Sequence, residues 1–139
     1  MKVQILDQTL FSRVIDQARS NPRHRQNFNL HQDYSDPCQR LLNALEPDTY
    51  VRPHRHTTPP RAECFVAMSG RLAVVLFEDN GEIEQVIELA PAGPVFGLEI
   101  PAGYWHAIIA LDTGSLFFEC KPGPYEPTLD KDFAPWAPV

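Results

Sequence analysis

The stretch HRHTTPPRAECFVAMSG, residues 54–70, holds two histidines two residues apart, a glutamate seven residues after the second, and a glycine seven beyond that. Further on, PAGYWHAII places the turn residues Pro101, Ala102 and Gly103 just ahead of His106. Side chains alternate faces along a strand, so His54 and His56 point the same way, about 6.5–7 Å apart. Glu63 follows the turn over 57–62 and can swing back as a carboxylate ligand. Three neutral imidazoles and one carboxylate suit a single divalent transition ion such as Zn, Ni, Fe or Mn. On a six-coordinate ion they would leave positions for water or substrate. A His-x-His pair alone is common, and His24 and His31 occur without metal spacing. The conjunction of His54, His56, Glu63, Gly70 and the later turn before His106 carries the reading.

These residues must be held by strands. After residue 37 short apolar runs alternate with turn signals, which predicts strands near 38–45, 49–56, 63–69, 71–78, 82–89, 95–100, 105–111 and 115–121. Asn80-Gly81 between two such runs suits a type I′ hairpin. About eight short strands with no helix between them imply an all-β antiparallel sandwich or small barrel. Near the N-terminus Leu6, Leu10, Phe11, Val14, Ile15 and Ala18 recur at helical spacing behind Asp7 as N-cap, and Asn21-Pro22 ends that helix. The expected organisation is one domain: a helix and extended arm over 1–37, a barrel over 38–121 and a strap over 122–139. The strap is proline-rich and expected to be irregular, yet Tyr125, Phe133 and Trp136 offer too much aromatic surface to leave wet.

The composition is that of an ordinary globular chain of 139 residues, 43% hydrophobic and 22% charged. No apolar run approaches the roughly 20 residues of a membrane span, and the N-terminus lacks the apolar stretch of a signal peptide. The expectation is a cytoplasmic protein with no membrane partner. Residues 1–71 hold ten Lys and Arg against seven Asp and Glu, and residues 72–139 hold two against eleven. The acidic total, −6, disfavours nucleic acid, while the arginine-rich half leaves room for a small anionic ligand. Cys38, Cys64 and Cys120 are odd in number and contain no C-x-x-C, so they are expected to be small buried hydrophobes.

Arg52 shares strand parity with His54 and His56 and is expected to point inward. A buried guanidinium needs an anion, either Glu99 or Glu119 or a ligand carboxylate or phosphate. Arg55 has outward parity. Arg40 can face either way. Asn27, Asn29 and His31 alternate with Phe28 and Leu30, which fits either a polar inward face or an edge strand with a wet face. Arg52, Arg40 and Asn29 are the substrate-binding candidates. No general base stands out, with His31 and Tyr125 the weak catalytic candidates.

His54, His56, Glu63, Gly70, Pro101, Gly103 and His106 resemble the two cupin motifs, G-x5-H-x-H-x(3,4)-E-x6-G and G-x5-P-x-G-x2-H-x3-N. Six residues rather than three or four separate His56 from Glu63. Asp48 replaces the first glycine, Gly97 stands in for a displaced second one, and Ala110 occupies the asparagine position. RQNFNLH, QRLLNALEPDTYVRPHRH, FECKPGPY and DKDFAPWAP extend the resemblance to WbuC-type cupin metalloproteins. The resemblance implies a double-stranded β-helix, a metal held by His54, His56, Glu63 and His106, and a bacterial surface-polysaccharide setting. It implies no particular reaction. Metal-dependent chemistry on a small carbohydrate-related molecule leads; a non-catalytic sugar or sugar-nucleotide binder, a closed structural metal site and an iron-dependent dioxygenase are the alternatives. A homodimer is compatible with all of them.

Overall fold

Residues 2–139 are described by a computed structural model. Helix α1 (Gln8–Ser20) begins at Asp7, whose carboxylate accepts the Leu10 N–H at 2.9 Å and satisfies a donor that the first turn leaves free. Leu10, Val14, Ile15 and Ala18 form its buried stripe and pack on Leu42, Ala44 and Leu116. Those three residues face outward from a sheet, so the helix closes the back of that sheet.

Ten strands follow: β1 (Arg25–Asn29), β2 (Cys38–Leu45), β3 (His54–Arg55), β4 (Glu63–Ser69), β5 (Leu72–Phe77), β6 (Ile83–Leu89), β7 (Gly97–Ile100), β8 (His106–Ala110), β9 (Ser115–Pro122) and β10 (Asp132–Phe133). They form two five-stranded antiparallel sheets, ordered β1-β2-β9-β4-β7 and β10-β3-β8-β5-β6. Phe65, Leu72, Val74, Ile108 and Phe117 fill part of the space between the sheets. Along β9 the residues on this inner face change from Phe117 to Glu119 to Lys121. The same sandwich is therefore apolar at one end and polar at the other.

Several expectations need correction. The strand expected over 49–56 is regular only at His54–Arg55, so strand parity does not extend back to Arg52. The Asn80-Gly81 turn is not type I′, because Asn80 keeps a negative φ and only Gly81, at φ 92°, is left-handed. Gly81 N–H bonds the Glu78 carbonyl at 3.0 Å and Glu78 N–H bonds the Glu82 carbonyl at 2.8 Å, giving a type I turn closed by a left-handed glycine. Segment 25–29 is an edge strand, paired through Asn27↔Asn43 and Asn29↔Leu41.

The cysteines are not core residues. Cys38 and Cys64 are exposed and Cys120 is half-buried, because each has outward parity beside an inward Gln39, Glu63, or Glu119 and Lys121. Cys38 and Cys120 lie with their sulfurs 3.7 Å apart on the outer face.

The proline-rich tail also departs from expectation. β10 pairs with β3 in the register Phe133↔His54 and Asp132↔Arg55. Trp136 packs against Phe77 at 5.0 Å and Trp105 at 6.0 Å between ring centroids, around a cluster with Ala134 and Ala137. It lies directly over Gly81, where an added Cβ would come within 2.9 Å of its ring. Phe133 stays 47% exposed, with the Arg52 guanidinium over its ring at 4.9 Å. The strap thus holds β3, a strand of only two residues that carries His54. No helix among the described residues is long and apolar enough to cross a membrane.

Removing the Trp136 ring should lower stability by about 2–3 kcal/mol, below the full-core range because the ring is half-buried. Urea denaturation of Trp136→Ala tests this. An unchanged midpoint would mean that the strap does not brace the barrel.

Candidate functional site

His54 and His106 are direct cross-strand partners on β3 and β8, with ring centroids 4.5 Å apart. His56 lies one residue beyond β3, where its carbonyl accepts the N–H of Gly103 at 3.2 Å and of Arg61 at 3.4 Å. These bonds tie the turn before His106 to the turn before Glu63. The longer separation of His56 from Glu63 is absorbed in a reversal over 57–60, closed by a Thr57↔Pro60 bridge. Glu63 Oε1 consequently sits 2.6 Å from His56 Nε2 and 3.0 Å from His106 Nε2. One ligand atom from each of His54, His56, Glu63 and His106 falls within 4.8 Å of the others.

The outer nitrogens determine what the inner ones can do. His54 Nδ1 meets the Arg52 carbonyl at 2.8 Å, His56 Nδ1 the Asp130 carbonyl at 2.5 Å and His106 Nδ1 the Tyr104 carbonyl at 2.9 Å. A carbonyl only accepts, so each Nδ1 carries a proton and Nε2 is the nitrogen turned inward, where a neutral ring offers a lone pair. His56 Nε2, His106 Nε2 and Glu63 Oε1 are buried and make no hydrogen bond. A carboxylate oxygen this close to two ring nitrogens needs positive charge between them, either a proton on a ring or a metal cation. Four buried side chains, none more than 6% exposed, could hold a metal ion there.

The surrounding charges bear on the cluster in different directions. Burial, reinforced by His106, pushes His54 well below the ordinary imidazole range. Burial would raise Glu63, but His106 and His56 outweigh it and hold the carboxyl well below the usual range.

The cluster opens onto a cavity of about 490 Å³ between the sheets. Its walls carry Asn27, Asn29, His31, Gln39, Asn43, Glu119, Lys121, Tyr125 and Asp130. Lys121 is buried, bonded to Asp130 at 3.0 Å and 3.6 Å from Glu119. Burial alone would lower it; Glu119, Glu63 and Asp130 raise it and keep it charged. Burial, then the charge of Glu63, pushes Glu119 up to about 8, and Asn43 donates to its carboxyl at 2.9 Å. Asp130 therefore has two roles: its carbonyl orients His56 and its carboxylate neutralises Lys121, with Arg61 at 3.8 Å.

The other candidates are divided. Asn29, His31 and Tyr125 line the cavity. His31 Nδ1 lies 3.0 Å from the Arg40 backbone N–H, whose bond it accepts, and Tyr125 stacks edge-on against Tyr34. Arg52 is outside the lining, because the irregular backbone over 51–53 turns it onto Phe133, where it donates to the Ala134 carbonyl at 3.4 Å. Neither Glu99 nor Glu119 pairs with it. Arg40 pairs with Asp36 at 3.1 Å, also outside the cavity. Arg55, of outward parity, bonds Asp132 at 2.8 Å and lies over Trp105.

Lys121 was detectable in principle, since a charge at an inward position of an apolar strand is a signal. Asp130 and Lys131 lie in the strap, where no periodicity marks an inward position.

Two facing antiparallel sheets with this buried His-His-Glu-His cluster between them define a cupin fold. Solved structures share it. KdgF from Halomonas sp. superposes with a TM-score of 0.57 at 17% identity, covering 76% of this chain and 84% of that one. The capsular polysaccharide assembling protein CapF from Staphylococcus aureus gives 0.63 at 20% identity over 81% of this chain, which spans only 32% of CapF. Oxalate decarboxylase from Bacillus subtilis gives 0.59 at 17% identity, over 78% of this chain and 27% of its own. Residues 6–89 match the family model described as Domain of unknown function (DUF6016), and the chain belongs to that family. No curated protein matches it significantly.

Breaking the Lys121–Asp130 pair should leave a buried charge unbalanced. Asp130→Ala is expected to cost about 3 kcal/mol, and Lys121→Met on that background should recover part of the loss. Denaturant midpoints of the two variants check this. A neutral single variant would mean the pair is solvated.

Proposed function

We propose that His54, His56, Glu63 and His106 bind one divalent transition ion, and that the protein acts through it on a small, polar, carbohydrate-related molecule. The observation that carries this is the convergence of three imidazole nitrogens and a carboxylate oxygen in one buried space. Such an ion supplies Lewis acidity that polarises substrate oxygens.

The chain's own residues supply the rest of the recognition. Asn27, Asn29 and Asn43 present amides suited to sugar hydroxyls, and β1 and β2 hold them in rows on the inner face. Asp130 orients His56 and keeps Lys121 charged beside the cluster. The resemblance to WbuC-type proteins and the fold shared with a capsular polysaccharide assembling protein support a setting in bacterial polysaccharide synthesis.

A second reading, a non-catalytic binding protein, is favoured by one observation. Three titratable groups inside the cavity are already engaged: Lys121 with Asp130, Glu119 with Asn43, and His31 with the Arg40 backbone. Turnover assays on sugar substrates distinguish the two readings.

Metal analysis of the purified chain should find about one ion per chain. At a free ion concentration a hundred times Kd, the ion adds about 2.7 kcal/mol to stability, which His106→Ala should forfeit together with most of the bound metal. Glu63→Gln should weaken binding while preserving the fold. Full occupancy and an unchanged Tm in His106→Ala would sink the four-ligand assignment.

A further inference from the structure

The cavity contains more cations than its carboxylates can balance. Arg23, Arg25, Lys121 and Lys131 all line it, against Glu63, Glu119 and Asp130. Glu63 is committed to His56 and His106 and Asp130 to Lys121, and Glu119 accepts from Asn43. Among the described residues Arg23, Arg25 and Lys131 form no ion pair with any carboxylate. Residues 72–139 hold only two cations, Lys121 and Lys131, and both line this cavity.

We propose that Arg23, Arg25 and Lys131 form an anion subsite that receives a phosphate or carboxylate group of the ligand. The remainder of that ligand lies toward the His-Glu cluster, and this second half of the proposal alone rests on the metal-centred reading above.

Arg25 occupies the inward face of β1 in line with Asn27 and Asn29, opposite Leu45 of β2. One of its guanidinium nitrogens donates to the Tyr50 carbonyl at 2.6 Å, which fixes the plane of the group and leaves its other donors for a ligand. Lys131 follows Asp130, so the bond from His56 to the Asp130 carbonyl places both residues at the cavity wall. The cations oppose one another: burial, then Arg23, lowers Arg25, and burial, then Lys121, lowers Lys131. Arg23 and Lys131 are exposed and Arg25 half-buried, so a ligand can reach all three. Like charges held together are relieved by a shared anion, and guanidinium groups grip phosphate and carboxylate with paired hydrogen bonds. A volume of about 490 Å³ admits a charged monosaccharide.

Calorimetry on the full chain, metal-free and zinc-loaded, tests the subsite with inorganic phosphate, glucose 1-phosphate, glucuronate and glucose. Phosphate should bind the metal-free protein, more weakly as salt rises. Lys131→Gln and Arg25→Gln should each weaken it about tenfold or more, with metal content unchanged. Lys131→Gln stands by itself if loss of the Tyr50 contact disturbs Arg25→Gln. Tighter binding of glucose 1-phosphate or of glucuronate identifies the anion's source. The subsite is wrong if glucose binds as tightly as both charged sugars, if both variants retain full affinity, or if no anion binds. Loss of metal binding with phosphate binding intact would instead overturn the metal-centred reading and leave the subsite standing.

Discussion

Three backbone carbonyls, of Arg52, Tyr104 and Asp130, accept the outer nitrogens of three histidines. That arrangement turns three ring nitrogens inward beside the Glu63 carboxylate. With every Nδ1 donor turned outward, the inner nitrogens and the carboxylate need positive charge between them, which a divalent ion would supply. Much of the surrounding architecture serves those three bonds. The Pro101–Gly103 turn presents Tyr104, the irregular run before β3 presents Arg52, and the strap returns across the barrel to present Asp130. The strap's aromatic anchor at Trp105 and Phe77 is thus linked mechanically to the orientation of His56.

A gradient of polarity inside the sandwich separates stability from function. Phe65, Phe117 and Val74 supply dry packing at one end, where α1 seals the back of the sheet. Two residues along β9 from Phe117 is Glu119, and two further is Lys121. Period-two alternation thereby delivers charge into the same interior that the previous inward residue kept apolar. Lys121 stays charged there because the Asp130 carboxylate pairs with it at 3.0 Å. Arg23, Arg25 and Lys131 have no such partners, which makes that wall the natural place for a ligand's negative charge.

The cupin fold and the four clustered residues were legible because strand alternation and turn chemistry are local properties. His-x-His, the turn before His106 and the runs over 38–45 and 63–69 each announce themselves within a few residues. Arg52 failed for a physical reason: parity holds only in a regular strand, and 51–53 is not one. The cysteines failed because a small hydrophobe on a strand can face either way, and the inward places beside them went to Gln39, Glu63, Glu119 and Lys121. Asp130 and Lys131 were invisible because their positions are set by long-range docking of the strap on β3. Asn29 shows the opposite case. Edge strand and inward polar face were posed as alternatives, and β1 is both.

X-ray absorption spectroscopy at the edge of the metal that copurifies with the chain is the most direct test of the centre. Three imidazole nitrogens with oxygen scatterers, at about 2.0–2.2 Å for zinc and without sulfur, is the expected first shell. Protein that retains no ion after loading, or a shell containing sulfur, would contradict a centre built from His54, His56, Glu63 and His106.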